Sequence, residues 1–331
     1  MTVRLEMGAG GQPMQDLLEQ SIFKIFDSPL LAQGHDAAQF DLTGKVAFTT
    51  DSFVVKPLFF PGGDIGKLAV CGTLNDLAVS GAKPLYLSLA LILEEGLPLE
   101  DLNRILTSVA TTARAAGVQV VTGDTKVVEQ GKGDGIFINT AGIGLQISLT
   151  QMLPTNLKAG QKILINGGIA EHGLAILAAR ENLDLGGEIL SDCADLSGLT
   201  ETLLQAGGVT LFKDPTRGGL AATLNELAQA SGLGINLVEK SIPLDPRVEA
   251  GCGLLGIDPL QVANEGKLLV FAEADHAESL LEVMSRHPLG QGAAIIGEVT
   301  GGPSGKVHLT TRIGTSRVID PPLGDQLPRI C

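Results

Sequence analysis

Three polar residues that could do chemistry follow one another where a buried strand ends. In "VVTGDTKVV", an apolar strand runs into Asp124, Thr125 and Lys126 before apolar residues resume. A carboxylate, a hydroxyl and an ammonium group at a strand end suit a nucleotide bound with Mg²⁺, because carboxylates ligate the cation and the cation bridges to phosphates. A hairpin turn with a local pair between Asp124 and Lys126 is the structural alternative.

A second group precedes a glycine-rich helix start in "KDPTRGGLAATLNELA". It contains Asp214, Thr216 and Arg217. The first N–H groups of a helix bind anions, and arginine adds bidentate recognition of phosphate. Aspartate and threonine are also good helix caps, so this segment predicts an anion site, a cap, or both.

Two further aspartates stand alone. Asp51 lies where a strand breaks in "TTDSFVV", and a turn cap is the simpler interpretation. Asp76 interrupts an apolar helix, where a carboxylate is costly unless it is paired or bound to a cation, so we interpret it as functional. Between them, "PGGDIGKLAV" places Asp64 and Lys67 at a glycine-rich helix entry. This entry resembles a phosphate loop without the Walker A spacing, and it could equally be an ordinary helix start.

Two more groups are candidates for the reaction itself. Glu265 precedes an apolar strand in "VANEGKLLV" and could be a general base, although a surface turn is the simpler interpretation of that residue alone. The sequence closes on "PRIC", where Cys331 follows a proline-broken stretch that offers the thiol no core.

Composition limits the class of protein. The 331 residues suit two domains, and 44% hydrophobic with 18% charged residues is a globular composition. A net charge of −14 argues against nucleic acid as a partner. Cys71, Cys193 and Cys252 form no CxxC pair and are expected to pack in the core. "MTVRLEMGAGG" lacks a signal-peptide core and no apolar run reaches about 20 residues, so we expect a cytoplasmic protein without a membrane partner.

Strand and helix patterns alternate in two halves separated by "MLPTNLKAGQ", residues 152–161. We therefore predict an α/β (α+β) protein with a first domain over residues 1–152, a second over 153–312 and a flexible tail over 313–331. "TLNDLA" (73–78) recurs as "TLNELA" (223–228), each on a predicted helix. Chance and two related halves that share one site are both open explanations.

Taken together, these segments resemble the HypE family, the carbamoyl dehydratases of [NiFe]-hydrogenase maturation, in the PurM-like ATP-binding superfamily. The resemblance covers nearly the whole chain: "GAGG", "TDSFVVKPLFFPGGDIGKLAVCGTLNDLAVSGAKP", "GDTKVV", "KDPTRGGLA", "NEGK" and "PRIC". The last is the most specific. The family's first motif often reads His-Gly-Ser-Gly-Gly, whereas Met7 to Gly11 read Met-Gly-Ala-Gly-Gly here, which weakens any hydroxyl or imidazole role in that loop.

The resemblance implies a two-domain PurM-like fold in which the N-terminal sheets of a homodimer form a barrel-like core. It also implies ATP and Mg²⁺ as cofactors. The metal and triphosphate candidates are Asp51, Asp76, Asp124 and Asp214. The other nucleotide-binding candidates are Gly10, Gly11, Asp64, Lys67, Thr125, Thr216 and Arg217.

The reaction implied is ATP-dependent dehydration of a carbamoyl group carried on Cys331, which gives a thiocyanate. The implied partners are the carbamoyltransferase HypF and the HypC–HypD complex that accepts the cyanide. Glu265 is our candidate base, and Lys126 is its electrostatic partner or a phosphate-side cation. A small-molecule kinase of the same superfamily and an ATP-regulated docking protein are the rival predictions.

Overall fold

The computed structural model describes residues 1–9, 11–26, 28–31, 37–302 and 305–324. Over these residues the chain forms two large open sheets, each covered by helices, and a third sheet of two short strands. The strands of the first half are β1 (Val46–Phe53), β2 (Phe59–Phe60), β3 (Gly63–Asp64), β4 (Ala82–Glu94), β5 (Gln119–Val128) and β6 (Ile136–Gln146). Its helices are α1 (Gln12–Leu17), α2 (Lys24–Phe26), α3 (Ile65–Val79) and α4 (Leu99–Ala115), with a 3₁₀ turn at Leu5–Gly8 and a π-helical stretch at Leu18–Phe23.

The second half contains a larger sheet. Its strands are β7 (Lys162–Ile165), β8 (Val209–Lys213), β9 (Gly234–Val238), β10 (Leu269–Ala272), β11 (Ala294–Thr300), β12 (Val307–Thr310) and β13 (Ser316–Ile319). Its helices are α5 (Glu171–Glu181), α6 (Ser197–Ala206), α7 (Gly219–Ser231), α8 (Pro246–Leu255) and α9 (Ala277–Arg286). Short 3₁₀ turns occur at Pro154–Asn156, Glu239–Ser241, Pro259–Gln261 and Pro288–Gly290.

The two sheets differ in how they are covered. The first has the strand order β1-β6-β4-β5, and α3 and α4 pack on one of its faces. The second has the order β13-β12-β9-β11-β7-β10-β8. Its two faces build separate cores, one with α5, α7 and α8 and the other with α6 and α9. The two-domain α/β prediction is therefore confirmed.

Helix α3 joins the two halves. Thirteen of its fifteen residues are buried, since one side packs on the first sheet and another on α6. A helix that is apolar nearly all round must be enclosed on several sides. Helix α4 is amphipathic instead, with Leu102, Ile105, Leu106 and Val109 buried at helical spacing. This places α3, and therefore Asp76, at the junction of the domains.

The register of the first sheet separates two of the predicted groups. Asp51 on β1 pairs with Thr140 on β6, Thr140 with Leu89 on β4, and Leu89 with Gly123 on β5. These four residues form one row across the sheet. Asp51 and Gly123 are therefore at opposite edges of the sheet. Their backbones are three strand spacings apart, or about 14 Å across the sheet.

Some predicted elements were missed or misplaced. Within the segment predicted as a flexible tail over 313–331, Ser316–Ile319 form a strand, β13, that pairs with β12. The strands β8 and β9 and the helix α8 were missed because they are short or polar on one side. Among the described residues, no helix is both long and apolar enough to span a bilayer.

Candidate functional site

Three of the predicted aspartates, Asp51, Asp76 and Asp214, lie together where the two domains meet; we call them the acidic cluster. Asp51 is on β1, Asp76 on α3, and Asp214 directly follows β8. Thr49, on the same face of β1 as Asp51, donates a 2.8 Å hydrogen bond from Oγ1 to Oδ2 of Asp76. Burial first, and then the charges of Asp214 and Asp51, raise the pKa of Asp76 to about 6.

Cationic side chains border this cluster on the second domain. Burial raises the pKa of Asp51, and the charge of Arg217 acts in the opposite direction. Lys213 Nζ lies 3.5 Å from Oδ1 of Asp214, a carboxylate that is itself buried. The arrangement of three carboxylates beside one arginine favours binding of a cation and of an anion next to each other.

The backbone of the segment from Asp214 to Gly219 lies very close to the chain around Val262. Gly218 and Gly219 have φ values of 74° and 58°, which side-chain-bearing residues rarely adopt. A Cβ on Gly219 would lie 2.5 Å from the carbonyl oxygen of Val262. Glycine is therefore required here for the helix α7 to begin against the chain segment that leads to Glu265.

Residues Asn264–Lys267, which we call the NEGK loop, contact two other loops. Asn264 donates from Nδ2 to the carbonyl oxygen of Pro215 at 2.8 Å and accepts from the N–H of Ala170 at 2.8 Å. Asn166 donates from Nδ2 to the carbonyl oxygen of Gly266 at 3.0 Å. These contacts fix the loop relative to the acidic cluster on one side and to the glycine turn before α5 on the other.

Glu265 is enclosed within this arrangement and is only 4% exposed. The interpretation of "NEGK" as a surface turn is therefore wrong. Burial is the main reason why the pKa of Glu265 lies well above its ordinary value, and the charges of Asp192, Asp214 and Asp51 add to the effect. A carboxyl group with a raised pKa is a strong proton acceptor once it is ionised.

The other predicted polar group lies on β5, away from the cluster. Lys126 Nζ is 2.8 Å from Oδ1 of Asp124, and both side chains are largely exposed. The local pair that the sequence left open is therefore present. The N-terminal loop packs against the same strand, since a Cβ on Gly8 would lie 2.7 Å from the backbone nitrogen of Val127. A cavity of about 480 Å³ opens beside Asp124 and Thr125, with apolar walls from the N-terminal helices and β4.

The carboxylates of the acidic cluster suit Mg²⁺, although they do not form a complete metal site by themselves. Among the residues that the structure describes, no three His, Cys, Asp or Glu side chains come close enough to hold an ion. Mg²⁺ in nucleotide sites commonly uses one or two carboxylates together with phosphate oxygens and water. The hard oxygen donors of Asp51, Asp76 and Asp214 fit that mode, with the triphosphate supplying the remaining ligands.

Known proteins show the same organisation over the full length. Residues 34–146 match the N-terminal domain of AIR synthase related proteins, and residues 158–310 match the C-terminal domain of that family. A carbamoyl dehydratase HypE of Azotobacter vinelandii is 50% identical, over 100% of this chain and 97% of the relative. The enzyme of the same name from Escherichia coli K12 is 48% identical, over 99% of both chains.

This chain belongs to the HypE family. A crystal structure of the hydrogenase maturation protein HypE in complex with ATP superposes with a TM-score of 0.95, at 44% identity and 99% coverage of both chains. A structure of a HypE–HypF complex contains a chain that is 49% identical, with a TM-score of 0.82, over 92% of this chain and 99% of that one. The predicted family, fold and enzyme class are thereby confirmed.

The predicted nucleotide residues near α3 have local structural roles. Asp64 caps the helix, because its Oδ1 accepts from the N–H groups of Gly66 and Lys67 at 2.8 and 3.0 Å. Lys67 donates from Nζ to the carbonyl oxygen of Gly62 at 2.9 Å. Cap and nucleotide contact can coexist at a helix start, so a role for both in HypE-family ATP binding stays a prediction.

Two predicted positions, Gly10 and Cys331, lie outside the described residues. Gly11 is described and forms the start of α1. The last described stretch lies against the start of α7: a Cβ on Gly218 would lie 3.1 Å from Cγ of Pro322. The last described residues therefore lie beside the segment that carries Asp214 and Arg217.

The repeated helical motif marks two helices at one cavity. Asp76 and Glu226, at equivalent positions of "TLNDLA" and "TLNELA", both line a cavity of about 610 Å³ with Lys213 between the domains. The structure also reveals positions that the sequence reasoning missed. Asp192 and Asn75 contact the backbone of the NEGK loop. The only available signal was a polar residue within a helix for Asn75, and none linked Asp192 to Glu265.

Proposed function

We propose that this protein uses ATP to remove water from a carbamoyl group carried on the thiol of Cys331. The observation that supports this most is the closeness of Pro322, in the last described stretch, to Gly218 in the segment that begins with Asp214. Cys331 is the seventh residue after Gly324, the last described position. Seven extended residues reach about 24 Å, enough for the thiol to approach the cluster and also to leave it.

The chemistry needs a better leaving group than hydroxide. In the proposed reaction the amide oxygen of S–C(=O)–NH₂ attacks the γ-phosphorus of ATP, and ADP leaves. The C–O bond then breaks with its electron pair on phosphate, both N–H protons depart, and S–C≡N remains. Water is removed overall as phosphate, and the products are thiocyanate, ADP, phosphate and a proton.

Glu265 is the proposed base for the amide protons, because it is buried, sits beside the cluster and is held by a connected loop. Asp51, Asp76 and Asp214 would hold Mg²⁺, which when bound supplies charge neutralisation for the phosphates. Arg217 provides a forked cation for phosphate oxygens near Asp51. Excluding water around Glu265 protects the activated amide from hydrolysis.

The separation of the two polar groups supports a homodimeric site. Asp51 lies on β1 and Asp124 and Lys126 lie on β5, at opposite open edges of one sheet. Phe48 on β1 is 69% exposed and Val46 is 47% exposed. Neighbouring exposed apolar side chains on a sheet favour packing against another protein surface. A second copy of the chain would cover this edge and bring the partner's β5 group toward the acidic cluster.

The substrate's chemistry defines the external partners that we propose. A carbamoyl donor must load Cys331, which fits HypF, and an acceptor must take the cyanide, which fits the HypC–HypD complex. The cavity beside Asp124 and Thr125 has apolar walls suited to a planar base. A cytoplasmic location is consistent with this set of partners and stays part of the proposal.

Intact mass spectrometry of the carbamoylated full-length chain before and after MgATP tests the function. We expect the C-terminal peptide to lose the mass of one water molecule. Cys331→Ala should abolish thiocyanate formation while ATP binding persists. Phosphate transfer to a small molecule by Cys331→Ala would favour the kinase alternative. ATP binding with no change of mass in the carbamoylated chain would favour the docking alternative.

A further inference from the structure

A short extended segment runs between the two domains and contacts loops from both. This segment, Ile189–Leu196, precedes α6 and is fixed to the first domain by the N–H of Ser191, which donates to the carbonyl oxygen of Pro61 at 2.8 Å. The two backbones approach closely there, because a Cβ on Gly62 would lie 2.7 Å from the backbone of Ser191. We call it the interdomain segment.

Helix α3 anchors the other end of the interdomain segment. Asn75 accepts from the N–H of Leu196 at 2.8 Å and donates from Nδ2 to the carbonyl oxygen of Ala194 at 3.1 Å. The same Nδ2 lies 3.3 Å from the carbonyl oxygen of Glu265. One amide side chain from the first domain therefore holds both the interdomain segment and the NEGK loop.

Asp192 lies at the centre of this segment, and its side chain is only 1% exposed. Oδ1 accepts from the N–H of Glu265 at 3.2 Å, and Oδ2 accepts from the N–H of Gly266 at 3.0 Å. Its charge is balanced by Lys267, whose Nζ lies 3.5 Å from Oδ2 and 2.9 Å from Oε2 of Glu171. A buried carboxylate with this set of partners is fully engaged with the loop.

The chemistry of the contact requires a carboxylate. Two successive backbone N–H groups both donate, so both side-chain oxygens must accept, and an asparagine would present an NH₂ group to one of them. The contact also requires glycine at the next position of the loop. A Cβ on Gly266 would lie 1.9 Å from the carbonyl oxygen of Asp192, far inside van der Waals distance.

We propose that Asp192 is a positioning residue for the dehydration reaction: it holds the backbone of Glu265 and Gly266 and so fixes where the Glu265 carboxyl group sits. This rests on the proposed role of Glu265 as the base. A loop that carries a base must hold it to within a fraction of an ångström, since a shift of about 1 Å can lower a rate by about 100-fold. Asp192 need not touch ATP or the carbamoyl group to act in this way.

The test compares Asp192→Asn with Asp195→Asn in the full-length carbamoylated protein. Asp195 is in the same segment, but its two oxygens bind the N–H and Oγ of Ser197, both at 2.9 Å, and not the NEGK loop. At saturating MgATP we expect Asp192→Asn to form thiocyanate about 10- to 100-fold more slowly, with the KM for ATP within about twofold of wild type. Asp195→Asn should keep the wild-type rate.

Several results would overturn the proposal. One is a rate for Asp192→Asn within about twofold of the Asp195→Asn rate. Another is a loss of ATP binding and of thermal stability in Asp192→Asn that accounts for the whole loss of rate, because that indicates a purely structural role. If Asp192→Asn does not fold, Asp192→Ala takes its place: it removes both acceptors for the N–H groups of Glu265 and Gly266 without presenting an NH₂ group to them, and a wild-type rate for it would equally overturn the proposal.

Glu265→Gln, measured in parallel, separates this proposal from the proposed function. Near-normal dehydration by Glu265→Gln would remove the base assignment, whatever Asp192→Asn does. An inactive Glu265→Gln beside a fully active Asp192→Asn would leave the base in place and reject only the positioning role.

Discussion

Replacing Asp76 by asparagine should make the protein more stable while it weakens binding of Mg²⁺ and ATP. Asp76 is mostly enclosed, it accepts from Thr49 at 2.8 Å, and burial together with Asp214 and Asp51 raises its pKa to about 6 from an ordinary value of 3.8. The native state therefore holds this proton to a higher pH than the unfolded chain does. Between these two values the native state binds more protons, so the free energy of unfolding falls as the pH rises.

The size of this loss follows from the two pKa values. The difference between about 6 and 3.8, at about 1.4 kcal/mol per pKa unit, corresponds to about 3 kcal/mol above pH 6. Partial solvent screening lowers this free energy, and Oδ1 of the asparagine can still accept the hydrogen bond from Thr49. We therefore expect Asp76→Asn to be about 1–3 kcal/mol more stable than wild type at pH 7.5 without divalent cations.

Urea unfolding followed by circular dichroism measures the difference at several pH values. The gap between Asp76→Asn and wild type should shrink from pH 7.5 toward pH 4, where the native carboxyl group is protonated. Glu226→Gln, at the equivalent position of the second helix where the side chain is exposed, should change stability by less than about 0.5 kcal/mol. An Asp76→Asn variant less stable than wild type at pH 7.5, or a gap independent of pH, would refute the reasoning.

Three other predictions address the shared site, the subunit interface and the loop. Lys126→Ala and Glu265→Gln should each be nearly inactive. Subunit exchange between the two variants should restore part of the activity, because a mixed dimer can assemble one intact site from the unchanged Lys126 of one subunit and the unchanged Glu265 of the other. If the mixture recovers no activity, the site is not shared between subunits. Phe48→Lys should raise the dimer dissociation constant measured by analytical ultracentrifugation, since this side chain is 69% exposed in one chain; unchanged association would place the interface elsewhere. Gly266→Ala should lower the free energy of unfolding by about 1–3 kcal/mol through overpacking against Asp192, and an unchanged thermal midpoint would contradict the contact.

The elements with strong local patterns could be predicted from sequence. Helix α4 has apolar residues at helical spacing, and β4 and β6 have long apolar or alternating runs, so their type did not depend on tertiary context. Strands β8 and β9 have only five residues each, and such short runs carry little periodic signal. Helix α8 did carry a start signal, because Asp245 caps it and Pro246 follows, but two glycines within the helix masked its period.

Some features of the candidate site could likewise be predicted from sequence, and others could not. From residue types alone, Asp76, Asp124 and Asp214 indicated a cation or phosphate site, because carboxylates at strand ends or within apolar helices are costly without a ligand or partner. Asp51 and Glu265 were more simply a turn cap and a surface turn, and the family resemblance implied their roles. The order of these five residues along the chain, together with "PRIC", was enough for the family resemblance, which the comparisons confirmed.

Tertiary structure alone decided which of these residues meet. Strand order places Asp51 and Asp124 at opposite edges of one sheet, and no local pattern encodes which strands become edges. Packing of the second domain on α3 brings Asp214 toward Asp76 and encloses Glu265, which the sequence alone presented as a surface turn. The contact of Asp192 with Glu265 joins residues 73 positions apart. Sequence determines which groups can do the chemistry, whereas burial and distance, which set their pKa values and partners, arise only when distant segments pack together.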